Sequence, residues 1–268
     1  EANTIDAYTT GVVTATISTT DITALDDLTG TGNAYTITVA TADVTAAALK
    51  TVNDATTVNV TATAVTNITG SKTDLASVYG GGITGLGNET ITVSDANITS
   101  GEANTIDGYT TGVVTATIST TAIADLDDLT GTGNAYTITV GTADVTAAAL
   151  NAVNAATTVN VTASAVTAIT GTASALATTY GGGISNLGDE AIIVSDSVTS
   201  AQANTIDAYT TGAVTATIST QTIADLDDLT GTGNAYTITV GDTSVTAAAL
   251  NTVNAATTVN VTATAVTT

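Results

Sequence analysis

Carboxylates are the side chains of this chain with the clearest capacity for chemistry. Asp6, Asp26, Asp107, Asp127, Asp207 and Asp227 each follow the first apolar residue of a short segment whose apolar side chains stand three apart. If such segments stack, Asp6 lies over Asp26, Asp107 over Asp127 and Asp207 over Asp227, roughly 5 Å apart. Two carboxylates that close repel each other unless a cation lies between them. Asp27, Asp128 and Asp228 adjoin the pairs, and Ca2+ takes six to eight oxygen ligands. The pattern reads either as a weak Ca2+ site repeated along the chain or as an acidic stripe held in water and screened by salt. Paired carboxylates also suit glycoside hydrolysis. Sugar clefts, however, are lined by aromatic surface, and active sites seldom recur along one chain. The sequence therefore reads as holding no catalytic residue, and the expectation is that the protein is not an enzyme.

Composition removes most other chemistry. The 268 residues include no Cys, His, Met, Trp, Phe or Pro. Thiolate metal sites, disulfides and thiol nucleophiles are thus absent, as is the usual general base near neutral pH. Lys50 and Lys72 are the only basic residues against 24 acidic ones, for a formal charge of −22. That field repels phosphate, so neither nucleic acid nor an anionic membrane is an expected partner. No apolar run is long enough to insert into a bilayer. The triplets Gly80-Gly81-Gly82 and Gly181-Gly182-Gly183 lack the Lys and the spacing of a phosphate-binding loop.

The elements that would position these residues come from repetition. Glu1-Ala2-Asn3-Thr4-Ile5-Asp6 recurs from Glu102 and, with Gln for Glu, from Gln202, giving repeat units 1–101, 102–201 and a partial 202–268. The second unit is one residue shorter, where Asp95-Ala96-Asn97-Ile98 becomes Asp196-Ser197-Val198. Within a unit, four segments alternate apolar and polar residues as strands do: Val13–Ile17, Tyr35–Val39, Val58–Thr63 and Ile91–Val93. Each is followed by a further apolar residue (Ile22, Val44, Ile68, Ile98) and then a helical turn marked by Leu25/Leu28, Leu49/Val52, Leu75/Val78 or Ile106/Tyr109. Thr23, Thr45, Thr73 and Thr99 stand where N-caps belong, and Thr23/Asp26 and Thr99/Glu102 have capping-box spacing. Gly- and Asn-rich corners close each turn.

The expected fold is a parallel β-solenoid with an LRR-like strand plus short helical turn in each coil. It has about 25 residues per coil, four coils per 100–101-residue repeat, and eleven strands in all. It is read as a single continuous solenoid over 1–268. Neither end carries a polar cap, so the chain reads as an excerpt of a longer array or as a subunit stacked end to end. The Thr-x-Thr rungs Thr14/Thr16, Thr36/Thr38, Thr61/Thr63 and Thr90/Thr92 would face outward. Such ladders are similar to the ice-binding faces of solenoid antifreeze proteins. They also follow from threonine's fitness for exposed strands. The ladder breaks at Ala191 and Ile193. The run Gly30-Thr31-Gly32-Asn33-Ala34-Tyr35 resembles a Ca2+-binding RTX nonapeptide whose Asp is replaced by Ala34, and reads as a glycine corner.

The text Ala-Ala-Ala-Leu-x-x-Val-Asn-x-Ala-Thr-Thr-Val-Asn-Val-Thr-Ala occurs at 46–62, 147–163 and 247–263. With Ile83-Thr84-Gly85-Leu86-Gly87-Asn88-Glu89, it resembles repeats of giant, acidic, Thr/Ala-rich surface proteins of marine bacteria. The resemblance implies an extracellular or cell-surface location and a fibrous or coating role, and it carries over no functional residue. The expectation is a structural segment of a filament, surface layer or adhesin stalk whose partners are copies of itself or flanking repeats. The alternative is a Ca2+-dependent adhesin or ice-binding module using the Thr-rich face.

Overall fold

The computed structural model describes residues 1–267. The protein is α/β, with parallel strands and helices between them, and it divides into two compact units. Unit 1 comprises Glu1–Thr120, Leu129–Thr137 and Ala156–Thr158; unit 2 comprises Thr121–Asp128, Ile138–Ala155 and the described residues from Val159 onward.

In chain order the first elements are α1 (Ala2–Asp6), β1 (Thr14–Thr16), α2 (Ile22–Leu25), β2 (Ala34–Thr36), β3 (Asp43–Thr45), α3 (Ala46–Asp54) and β4 (Val60–Thr61). There follow β5 (Asn67–Gly70), α4 (Lys72–Gly80), β6 (Ile83–Thr84), β7 (Thr90–Val93), α5 (Ser100–Asp107) and β8 (Val114–Thr117). The pattern then recurs as α6 (Ile123–Leu126), β9 (Ala135–Thr137), β10 (Asp144–Thr146), α7 (Ala147–Ala155), β11 (Val161–Thr162), β12 (Ala168–Gly171) and α8 (Ala173–Tyr180). The last are β13 (Ile184–Ser185), β14 (Ala191–Val198), α9 (Ser200–Asp207), β15 (Val214–Ile218), α10 (Ile223–Leu226), β16 (Ala235–Thr237) and α11 (Ala247–Ala255).

Unit 1 holds a five-stranded sheet in the order β3-β5-β7-β8-β9, with the pairs β1-β2 and β4-β6. Unit 2 holds the matching sheet β10-β12-β14-β15-β16 and the pair β11-β13. Every pairing is parallel, and a parallel neighbour demands a long crossover, which the helices occupy. The strand pattern departs from the expectation of one eleven-stranded ladder. Val44 and Ile68, expected at corners, lie in strands β3 and β5 and pair with each other. The β7 strand joins β5 on one side and β8 on the other, rather than continuing the Val58–Thr63 segment. Alternation identifies which side chains face inward; it does not choose between two strands that alternate equally well.

The inward faces form columns of like residues. In unit 1 Val44, Ile68, Ile91 and Val114 are register partners in sequence; in unit 2 they are Val145, Ile169, Ile192 and Val214. All eight are buried, as are Leu25, Leu49, Leu75 and Ile106 from the helices of unit 1. Each such side chain contributes about 1.5–3 kcal/mol through removal from water.

Helix starts are fixed from two directions. Thr45 and Thr99 cap α3 and α5 as expected, and Glu102 completes a capping box with Thr99. The other two caps fall two residues earlier than Thr23 and Thr73: Asp21 accepts from the Thr23 amide and Ser71 from the Asp74 amide. The first helical amide is then bonded by a side chain from the following strand region. Ile22 N donates to Thr41 Oγ1 (2.9 Å), Lys72 N to Asp95 Oδ2 (2.7 Å) and Ser100 N to Thr120 Oγ1 (3.0 Å). In unit 2, Ala173 N donates to Asp196 Oδ1 at 2.9 Å. Helix termini leave such donors orphaned, so each successive segment satisfies the one before it.

Candidate functional site

The carboxylates singled out by sequence go to separate tasks. Asp6 lies at the end of α1, where its Oδ1 accepts from Asn33 Nδ2 at 2.7 Å. Asn33 is buried, and its Oδ1 accepts from the Val13 amide at 2.8 Å. The same trio recurs twice: Asp107, Asn134 and Val114 in unit 1, and Asp207, Asn234 and Val214 in unit 2, again with the Asn–Asp bond at 2.7 Å. A Cβ on Gly30 would overlap both Asp6 and Asn33, so the glycine corner exists to let this amide and carboxylate lie against backbone. The asparagine thus staples a helix end to a strand start.

Asp26, Asp127 and Asp227 are instead the C-cap residues of α2, α6 and α10. The backbone carbonyls of Asp27 and Asp228 accept from the side-chain amides of Asn3 and Asn204, and Asn104 and Asp128 hold the matching positions of the middle copy. Stacking of Asp6 on Asp26, Asp107 on Asp127 and Asp207 on Asp227 was expected from equal positions in a turn. The short helices end just before Asp26 and its copies, whereas Asp6 and its copies are the last helical residues and turn toward asparagine. Among the described residues, no three His, Cys, Asp or Glu side chains gather into a group able to hold a metal ion.

Sequence reasoning missed the two acids most withdrawn from water. Glu89 and Glu190 are fully buried. Glu89 accepts from the Tyr79 hydroxyl (2.7 Å) and the Gly87 amide (2.8 Å); Glu190 accepts from the Tyr180 hydroxyl (2.8 Å) and the Gly188 amide (2.7 Å). Burial, then the bond to the carboxylate, pushes both phenols well above their ordinary range. Each tyrosine also stacks on the aromatic ring that follows the next helix: Tyr79 on Tyr109 and Tyr180 on Tyr209, with centroids 4.8 Å apart in both. The available signal was the equal spacing of Tyr79–Glu89 and Tyr180–Glu190, ten residues in each copy.

Backbone follows the acids. The Glu89 carbonyl accepts from Thr110 Oγ1 at 2.6 Å and the Gly87 carbonyl from the Thr111 amide at 2.9 Å. Unit 2 repeats both contacts from Thr210 and Thr211. A Cβ on Gly112 would run into the Glu89 carbonyl, and one on Gly212 into the Glu190 carbonyl. Three further tyrosines, Tyr35, Tyr136 and Tyr236, are buried with hydroxyls that bond to no protein group among the described residues. Burial first, and the adjacent Asp6, Asp107 or Asp207 second, raises their ionisation.

The outer face of the unit 1 sheet carries Thr45, Thr69, Thr92 and Thr115 as successive register partners, all exposed. Its counterpart in unit 2 reads Thr146, Thr170, Ile193 and Thr215. The two lysines lie on helices. Lys50 pairs with Asp54 on its own helix (2.5 Å), and Lys72 of α4 with Glu102 of α5 (2.6 Å). Among the described residues, no helix is long and apolar enough to cross a membrane. No protein-family model, curated protein or solved structure matches this chain.

Proposed function

We propose that the chain is a structural repeat segment of an extracellular filament, surface layer or adhesin stalk. In this reading it is one continuous β-solenoid with about 25 residues per coil and four coils per repeat. One observation carries the reading. Register partners in the inward columns are spaced 24, 23 and 23 residues apart from Val44 to Val114, and 24, 23 and 22 from Val145 to Val214. Such near-constant advance with like residue on like residue is how a chain builds a column that no single segment could bury alone. The side chains that staple one segment to the next are structural in the same sense: Asn33, Glu89 and Asp95 each satisfy a neighbour's backbone. An acidic surface suits a rod in salty water, where screening limits self-repulsion to about 8 Å.

Electron microscopy of the concentrated protein without added ligand tests the proposal. Long filaments, with a meridional spacing of about 4.8 Å on alignment, are expected. Short isolated particles at every concentration would overturn the filament. The in-register threonine rank of unit 1 supports a second reading, an ice- or surface-docking face. Thermal hysteresis that vanishes on replacing Thr69 and Thr92 would favour it.

A further inference from the structure

The sequence Ala-Asn-Thr-Ile-Asp-x-Tyr-Thr-Thr-Gly occurs three times, beginning at Ala2, Ala103 and Ala203. In two copies it is covered. Ala103 and Ala203 are fully buried and Ile106 and Ile206 are 2% exposed. Over them lie Tyr79, Gly87 and Glu89 in unit 1, and Tyr180, Gly188 and Glu190 in unit 2, through the ring stacking and the carbonyl bonds described above. The first copy has the same residues and no such cover: Ile5 is 51% exposed, Tyr8 83% and Val12 68%.

The uncovered loop already has the covered shape. Gly11 N donates to Thr9 Oγ1 at 3.0 Å, against 2.9 Å for Gly112 to Thr110 and for Gly212 to Thr210. That bond leaves the threonine hydroxyl hydrogen directed for donation, which Thr110 and Thr210 use on the Glu89 and Glu190 carbonyls. Little ordering therefore remains to oppose binding.

We infer that the face made by α1 and residues 8–13 is a docking face, and that its occupant is a segment of the kind spanning residues 67–99, presented by another polypeptide. The inference rests on the stacked-repeat reading and names the partner that reading leaves general. The occupant brings a tyrosine to stack on Tyr8, a glycine carbonyl for the Thr10 amide and a glutamate carbonyl for Thr9. It also brings an aliphatic surface for Ile5. The strand edge of β1 gains a parallel neighbour in the same step.

Gly11 and Gly112 separate this proposal from the reading beneath it. A methyl on Gly112 meets the Glu89 carbonyl, whereas one on Gly11 meets only the Thr9 hydroxyl, at an ordinary 3.4 Å. Gly11→Ala is therefore harmless to the chain alone and blocks the occupant. The experiment adds a synthetic peptide of residues 67–99 to the whole chain and follows hydrogen exchange of the amides at 2–13. The expected result is saturable protection, weakened roughly tenfold or more in the Gly11→Ala chain and with a Tyr79→Ala peptide. Absence of protection at millimolar peptide, or equal protection in Gly11→Ala, overturns the docking face. Gly112→Ala, measured alongside by thermal unfolding, reports on the stacking itself. If it lowers stability while the peptide fails to protect, docking is wrong and stacking stands; if it does not, both fall.

Discussion

The β7 region of unit 1 and the β14 region of unit 2 descend from the same stretch of repeat, yet they differ in length, outward chemistry and charge. From Thr92 to Ile98 unit 1 has three more residues than the facing Thr115–Ile118; from Ile193 to Val198 unit 2 has two more than Thr215–Ile218. With one residue fewer, the strand runs unbroken from Ala191 to Val198 across a register shift, whereas β7 stops at Val93 and Ile98 makes only an isolated bridge to Ile118. Outward, Thr92 becomes Ile193. Nearby, the Lys72–Glu102 ion pair becomes Ala173 and Gln202. What survives is inward or backbone-directed. Ile91 and Ile192 are equally buried, Asp95 and Asp196 bond the same helix amide, and Gln202 closes the capping box as Glu102 does. The repeat tolerates change wherever water is the neighbour and resists it wherever another segment is.

If that is the rule, Glu89→Ala and Glu190→Ala cost about 3 kcal/mol each, because each leaves a phenol and an amide buried without an acceptor. Chemical denaturation of the two variants checks this, and losses differing by more than half would break the equivalence of the units. Alkali is the next strongest perturbation. Burial raises Tyr79 and Tyr180 above their ordinary value of 10.0, so folding favours the protonated phenol. Their contribution is complete below that pH and is lost as pH rises beyond it, when the unfolded chain ionises first. Circular dichroism against pH is expected to show unfolding beginning above about 10, shifted upward by the double variant Tyr79→Phe, Tyr180→Phe.

Deleting Ala96 makes unit 1 resemble unit 2 and is expected to change stability by less than about 1 kcal/mol, since the bulge takes up the difference. Hydrogen exchange across residues 94–98 then slows as the strand lengthens. Restoring the threonine rank with Ile193→Thr alters stability by less than about 0.5 kcal/mol and reduces lateral association in light scattering. The ion pair has the smallest effect. The bond to Lys72 holds the Glu102 carboxyl below its usual value, so its stabilisation is present above the ordinary glutamate pKa and fades as pH falls through the lowered one. Glu102→Gln removes that acid dependence and its salt sensitivity, leaving a chain that behaves as unit 2 already does.

Much of this was legible beforehand. The repeat boundaries, the inward alternation at Val13–Ile17 and Ile91–Val93, and the caps at Thr45 and Thr99 all follow from local pattern. Strand partners do not, because several segments alternate alike and the choice depends on contacts some 20 to 24 residues away. Asn33 read as part of a glycine corner because nothing local shows that its amide faces Val13. Glu89 was invisible as a buried acid for the same reason: its donors come from Tyr79 before it and from Gly87, a glycine like many others. Asp21 and Ser71 were passed over in favour of threonines two residues on, which have the same side-chain chemistry and a plausible spacing.

The stacked tyrosines bear on how such a chain finds its own fold. Tyr109 and Tyr209 present the same surface, so chemistry alone does not tell Tyr79 which to choose. Distance does: Tyr109 is 30 residues away and Tyr209 is 130. Loop closure favours the nearer ring by about 1.3 kcal/mol, roughly a tenfold preference. A newly made array of near-identical copies therefore sorts its partners by proximity, and dilution or slow emergence from a ribosome sharpens the sorting while crowded refolding blurs it.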